Sequence, residues 1–547
     1  MPRHETQASV QVAPAAAAPP PHGVVLETGV PLSQSVIWRL QRDFYAQRGL
    51  KAWTEDMVPS YITNNPFIAE IYAGIVAGFL DDCMQSAQGE PLSAEHPLRI
   101  MELGAGTGRF SYLFLRKVTA LLRAKNVAPE LLRYRMSDCS ESLIAEWRAN
   151  RYLGEFVDSG ILEFELLPAG VESQSPSAGG NASPSAKAAS GPLVVIANYV
   201  FDSLPQDAFI IEEGKISEAL VTTTGGSEAG GVQPLGNLQF SFANASVSPE
   251  RYADKSWNEM LEQYRLRLPA ATVLFPCAAL ALLQQLGQSS DGRMLLLAAD
   301  KGITHEEDLA LCQGPPALEF HASNHCFSQI VNFDAIAKYF ACIGGLALVP
   351  TKHFTGLSIC AFLGRRPGDE LPSTRKAYEA NLAAFGPDDL FALMTWLNAH
   401  LEEVSVSQAL SLLRLTRWDT TAFLRLFPVI VRQFRNVTGE RTDLRDAVLN
   451  TWANHYPVTP AENVLAFNCG VILLELRYFE DALAMFKTSE QFFGRSAATS
   501  YNLGLCAMGL GRADQALAFL TAACTQDPAF EPARNLRLKL EQEQAQR

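Results

Sequence analysis

Apolar and polar positions change rhythm along the 547 residues. Residues 36–80 carry helical spacing, interrupted by MVPSYITNNPF at 57–67. From 98 to 363, short apolar runs alternate with helical stretches, which predicts an α/β domain. Strands are expected at 98–103, 134–138, 162–166, 193–198, 294–298 and 357–362. FIIEEGKISEALV at 209–221 reads as a hairpin turning at Glu213-Gly214. From 377 onward the spacing stays helical to the end.

The punctuation divides the chain. Residues 1–35 are rich in Ala and Pro but lack a basic start and a continuous apolar stretch, so they read as a disordered tail and not a signal peptide. Gly/Ser-rich stretches at 171–191 and 222–236 read as surface insertions, and GRRPGDELPSTRK at 364–376 as a linker. The expected order is a tail (1–35), an α/β domain (36–364), a linker (365–376), a helical region (377–455) and repeats (456–547). Within the last, the segment opening at Phe467 returns at Tyr501, 34 residues on, with Gly470/Gly504 and Ala482/Ala516 in register. That is the period of the tetratricopeptide repeat, a helix pair that buries its apolar face by stacking on neighbours. Two generic amphipathic hairpins are the alternative. DPAFEPARNLRLKLEQEQ at 527–544 would be the polar closing helix, and the helices of 378–452 are expected to pack beneath the repeats.

Composition narrows the function classes. A formal charge of −14 without a basic stripe argues against nucleic-acid binding. The longest apolar runs, such as AEIYAGIVAGFL, fall short of the roughly 20 residues of a membrane span. Ten scattered cysteines without a CxxC pair predict reduced thiols and a cytoplasmic location. His321, His325 and Cys326 lie close together, but no second ligand cluster accompanies them, so no metal is expected.

The chemistry gathers at three strand ends. In LRIMELGAGTGRFSYLFL (98–115), Gly104, Gly106 and Gly108 are spaced GxGxG, and Arg109 stands where a dinucleotide fingerprint has its last glycine. Glu102 just ahead would repel a pyrophosphate, whereas S-adenosylmethionine carries an ammonium and a sulfonium that a carboxylate suits. Asp138, closing the second strand, sits where an acid pairs with ribose hydroxyls; it lies 30 residues past Gly108 where about 20 is usual, and a long helix with a break near Pro129 absorbs the excess. LVVIANYVFDSLPQDAF (193–209) ends a strand in Asn198, with Asp202 and Pro205 just beyond.

These segments together resemble the MidA-like family of class I methyltransferases, which includes mitochondrial complex I assembly factors that methylate arginine. That family pairs an ELGAGxG loop with a long first helix, an acid followed by Ser after strand two, and an N-E-x-F-D-A-L-P segment after strand four. YITNNPFIAEIYAGIVAGFL (61–80) is similar to its F-x-T-S-P-E-x-S opening motif, MLLLAADKG (294–302) to its L-L-x-D-Y-G strand, and IVNFDAIAKYF (330–340) to its late V-D-F segment.

The resemblance implies a Rossmann-like domain and an S-adenosylmethionine-dependent methyltransferase. Glu102, Gly104, Gly106, Gly108, Asp138 and Thr63 would bind the cofactor, and Asp202 with Asn198 would stand near the transferred methyl. Two family acids are absent: Tyr199 and Phe67 occupy their places, which weakens the implied arginine specificity. A protein substrate or partner is expected on the C-terminal repeats. The rival expectations are a scaffold that keeps the fold but has lost turnover, and an NAD-dependent oxidoreductase, which the glycine spacing disfavours.

Overall fold

A computed structural model describes residues 24–546 except 56, 59–60, 87–90, 168–190, 226–233, 322–323, 354–355, 384 and 435–438. The tail to residue 23 and most of both Gly/Ser-rich insertions lie outside the described residues. Two compact units emerge: Met1–Thr63, Ile71–Ser111 and Leu115–Asp388 form the first; Asn64–Glu70, Tyr112–Phe114 and Asp389–Arg547 form the second.

The first unit opens with strand β1 (Val25–Pro31), where composition had predicted tail as far as 35. Glu27 supplies the reason. Its carboxylate accepts hydrogen bonds from Thr223 Oγ1 (2.6 Å), the Val36 N–H (2.7 Å) and the Ser35 hydroxyl. One side chain thus ties β1 to a distant strand and satisfies the start of helix α1 (Val36–Arg48), whose N-terminal N–H groups favour an anion. Helices α2 (Lys51–Thr54) and α3 (Pro66–Gln85) follow.

Next come β2 (Leu98–Leu103), α4 (Arg109–Ala124), β3 (Leu132–Asp138), α5 (Glu141–Ala149), α6 (Gly154–Asp158), β4 (Leu162–Leu166) and β5 (Gly191–Asn198). Strands β6 (Asp207–Glu212), β7 (Lys215–Thr224) and β8 (Gln239–Ser246) precede α7 (Lys255–Arg267) and β9 (Ala270–Phe275). The unit finishes with α8 (Cys277–Gln288), β10 (Ser290–Asp300), α9 (Phe333–Cys342), β11 (Leu346–Leu348), β12 (Ser358–Gly364) and α10 (Pro372–Leu382).

Seven strands make one sheet in the order β11-β12-β10-β5-β2-β3-β4. Strands β10, β5, β2, β3 and β4 run parallel, and β12 is antiparallel to both β10 and β11. Covered on both faces, β5 buries every residue from Gly191 to Ala197, which is why it reads as an unbroken apolar run. From β2 the chain proceeds to β3 and β4 on one side; from β5 it proceeds to β10 on the other. Open α/β sheets take their ligands at such a reversal, outside the carboxyl ends of the strands.

The predicted hairpin exists, turning at Glu213 and Gly214 (φ +49° and +72°), but it belongs to a separate antiparallel sheet. That sheet runs β1-β7-β6-β9, with β8 also on β7. The expected linker is also corrected. Its second half opens α10, and Asp82 of α3 accepts hydrogen bonds from the Ser373 N–H (3.0 Å), the Thr374 N–H (2.8 Å) and the Thr374 hydroxyl (2.7 Å). A Cβ at Gly78 would come within 2.7 Å of the Ser373 carbonyl, so α10 packs directly on α3.

The second unit is all-helical. It carries α11 (Pro387–His400), α12 (Val406–Leu415), α13 (Thr420–Arg432), α14 (Arg441–Ala453), α15 (Val464–Glu475), α16 (Phe479–Phe493), α17 (Ala497–Gly509), α18 (Ala513–Gln526) and α19 (Glu531–Ala545). A Cβ on Gly470 would stand 2.8 Å from the Phe486 ring, and one on Gly504 would stand 3.0 Å from Leu520. Both members of that contact shift by the sequence period, so the repetition is one of packing as well as letters. Among the described residues no helix is long and apolar enough to cross a membrane.

Candidate functional site

The loop leaving β2 passes through Gly104 (φ +63°), Gly106 (+53°) and Gly108 (+78°) before α4 begins. Three left-handed residues in five positions require glycine, since a Cβ strains that conformation. The loop is tied to the end of β3. The Ala105 N–H donates to the Ser137 carbonyl (3.0 Å), and the Ser137 hydroxyl donates to the Glu102 carbonyl (2.6 Å). Gly106 is held at both ends: its N–H donates to Asp138 Oδ2 (3.2 Å), and its carbonyl accepts from the Trp147 indole (2.9 Å). Asp138 Oδ1 also accepts from the Ser140 N–H (3.2 Å). Burial raises the Asp138 carboxyl, while these N–H groups pull it back toward ionisation.

Two close approaches define the surroundings. A Cβ on Gly106 would meet the Trp53 ring of α2 at 3.3 Å. A Cβ on Gly104 would touch Val200 at 3.4 Å, so the ends of β2 and β5 face each other as the topology requires.

Glu102 is placed differently from an open ligand group. It is buried and accepts from the Tyr134 hydroxyl (2.6 Å) and the Ser111 hydroxyl, with burial pushing its carboxyl up to about 7. Its hydrogen bonds brace β2 against β3 and α4 beneath the loop.

Beyond β5, Asn198 Oδ1 accepts from the Tyr72 hydroxyl (2.8 Å), which fixes its amide. Tyr199 adopts φ +53°, a conformation a bulky residue holds only under tertiary constraint, and its N–H donates to the Ala299 carbonyl (2.9 Å). Asp202 follows in a short 3-10 turn, buried, with the Ser203 hydroxyl donating to its Oδ1 (2.9 Å). Burial pushes the Asp202 carboxyl up to about 6.

Sequence reasoning passed over Asp300. At the end of β10, its Oδ2 accepts from the N–H groups of Phe201 (3.1 Å) and Asp202 (3.3 Å), so it shapes the turn that presents Asp202. It is fully buried, and burial together with the Asp202 charge holds its carboxyl well above the usual range. Two adjacent buried carboxyls resist ionising together, which favours the protonated form of Asp300. MLLLAAD could have signalled this only with the knowledge that β10 lies beside β5.

Tyr45 of α1 approaches the same place: burial, with the nearby Cys326 and Asp202, raises its hydroxyl well above the ordinary range. Thr63 is buried just ahead of α3, and Phe67, buried in the first turn of α3, belongs to the second unit. His325 stacks on Phe44 with ring centroids 5.6 Å apart.

Residues 82–315 match the model of a family described as "Putative S-adenosyl-L-methionine-dependent methyltransferase". No curated protein matches the chain. Among solved structures, an uncharacterized protein of Burkholderia thailandensis is 18% identical, covering 74% of this chain and 83% of its own, with a TM-score of 0.39. A member of the same superfamily from that organism, bound to S-adenosyl-homocysteine, is 17% identical, covering 74% and 84%, with a TM-score of 0.40. The CMeT domain of citrinin polyketide synthase is 16% identical, covering 50% and 48%, with a TM-score of 0.23.

Proposed function

We propose that the protein transfers a methyl group from S-adenosylmethionine to an N–H or O–H nucleophile beside Asp202, on a protein recruited by tetratricopeptide-type repeats, in the cytoplasm. The observation that carries this reading is the meeting of the glycine loop, Asp138 and the Asp202–Asp300 pair at the one reversal of the parallel sheet.

The residues suit the cofactor. The left-handed glycines bring bare backbone to its amino-acid and ribose parts, and Asp138 offers a carboxylate to the ribose hydroxyls. When bound, the cofactor supplies an electrophilic methyl on sulfur, and the protein supplies alignment. Asn198, locked by Tyr72, orients the acceptor. Asp202 accepts the proton that the acceptor nitrogen or oxygen loses as its bond to carbon forms. Asp300 keeps its own proton and holds the Asp202 turn in place. Glu102 supports the loop from below.

The test incubates full-length protein and cell lysate with methyl-labelled cofactor, beside Gly106→Val and Asp202→Asn. Wild type should label a protein band and both variants should not, while Asp202→Asn keeps its affinity for S-adenosylhomocysteine. Undiminished labelling by Asp202→Asn overturns the base assignment. A scaffold without turnover is the second reading, favoured by Tyr199 in place of an acid; it predicts cofactor binding and no labelled band.

A further inference from the structure

A second cluster stands at the carboxyl end of β10, outside the chemistry assigned above. Asp300 closes β10 and pairs in register with Ser358, which opens the antiparallel strand β12. The segment leaving β10 and the segment entering β12 therefore share one edge of the sheet. From the first come Thr304, His305 and Asp308; from the second comes His353. Asp308 Oδ2 lies 2.8 Å from His353 Nδ1 and 4.0 Å from His305 Nδ1. The imidazoles stack with centroids 4.1 Å apart, and Thr304 Oγ1 is 2.9 Å from His305 Nδ1. One ligand atom from each of His305, Asp308 and His353 lies within 4.8 Å of the other two.

We propose that His305, Asp308 and His353 form a binding site for a divalent transition-metal ion, zinc foremost. Two borderline imidazoles with one hard carboxylate favour zinc, cobalt or nickel; the set has too few hard oxygens for calcium or magnesium and no thiolate for copper(I). Three protein ligands leave a fourth position for water or the Thr304 hydroxyl. Ligands on a tetrahedral zinc stand ~3.3 Å apart, given bonds of ~2.0–2.2 Å, so the cluster must contract. The stacked rings must also turn, because parallel imidazoles do not aim their lone pairs at one point. His353, with its side chain 42% exposed, has room to swing. The backbone near it is anchored, since Asp388 accepts from the N–H groups of Gly356 (2.8 Å) and Leu357 (3.2 Å). An ion there would clip two loops together at the ligand-binding edge of the sheet.

The experiment strips full-length protein of metal and titrates it with zinc chloride, with magnesium chloride in parallel. One zinc should bind per chain at micromolar affinity or tighter, with no heat from magnesium. His305→Ala and His353→Ala should each weaken zinc at least tenfold while the circular dichroism spectrum stays unchanged. Free cysteines also bind zinc, and Cys342 is exposed. Cobalt(II) separates the two: the proposed site gives visible bands without a thiolate-to-cobalt charge-transfer band. Absence of stoichiometric zinc binding, full affinity in His353→Ala, or a cobalt spectrum dominated by thiolate would each overturn the site and leave an ordinary His–Asp hydrogen bond.

Discussion

Glycines of the loop after β2 and glycines of the helical unit are the same residue put to opposite uses. Gly104, Gly106 and Gly108 are required by their left-handed backbone; a Cβ would meet Val200 at an ordinary 3.4 Å from Gly104 but press on the Trp53 ring at a tight 3.3 Å from Gly106. Gly470 and Gly504 lie in ordinary helix, and a Cβ there would strike Phe486 or Leu520 at 2.8 and 3.0 Å. The first set lets the chain turn through a left-handed loop; the second lets two helices touch. A glycine in a motif therefore says little until its φ and its neighbours are known.

Substitutions should pull the two uses apart. Gly106→Val combines a forbidden φ with collision against Trp53, and should cost more than ~100-fold in affinity for S-adenosylhomocysteine, about 3 kcal/mol, by calorimetry. The helical unit should keep its own unfolding transition in that variant. Acid should reach only the catalytic region. In the proposed role Asp202 acts ionised, and its carboxyl is pushed up to about 6, so methyl transfer should rise with pH through that value. About a tenth of the plateau rate should remain one unit below it, with cofactor binding little changed. A flat pH profile would remove Asp202 from proton transfer.

Gly470→Val should overpack the α15–α16 contact and lower the stability of the helical unit by ~1–3 kcal/mol in chemical denaturation, leaving cofactor affinity intact. Gly104→Ala is the mildest, since its Cβ meets only Val200 at 3.4 Å. It should show the bare conformational cost, about 1 kcal/mol in stability. A larger loss there would mean that Val200 cannot yield.

Legibility followed burial in the parallel sheet, but not throughout, since the buried strand β9 went unread. The central strands were readable because strands covered on both faces become continuous apolar runs, as in GPLVVIA of β5. Strands β1 and β8 escaped because neither buries a residue fully; β1 follows the Ala/Pro-rich stretch, and Ala243, Asn244 and Ala245 of β8 look like loop. Helix α10 escaped because Pro372 and its neighbours read as a break, and its anchor, Asp82, lies 291 residues from Ser373. The glycine loop and Asp138 were legible because their signal is local spacing. Asp300 and the His305–His353 cluster were not, since each depends on which strands become neighbours, and that order is a tertiary fact.

The bond from Glu27 to Thr223 spans 196 residues, and it bears on the birth of the molecule. On a ribosome adding ~5–20 residues each second, β1 waits on the order of 10–40 s before its partner strand β7 exists. During that interval an edge-forming strand has no native mate, while β2, β3 and β4 can already pair with one another. Such an unpaired strand is open to pairing with another chain. Expression at lower temperature, with chaperones present, should therefore raise the yield of native protein through this sheet before any other part of the fold.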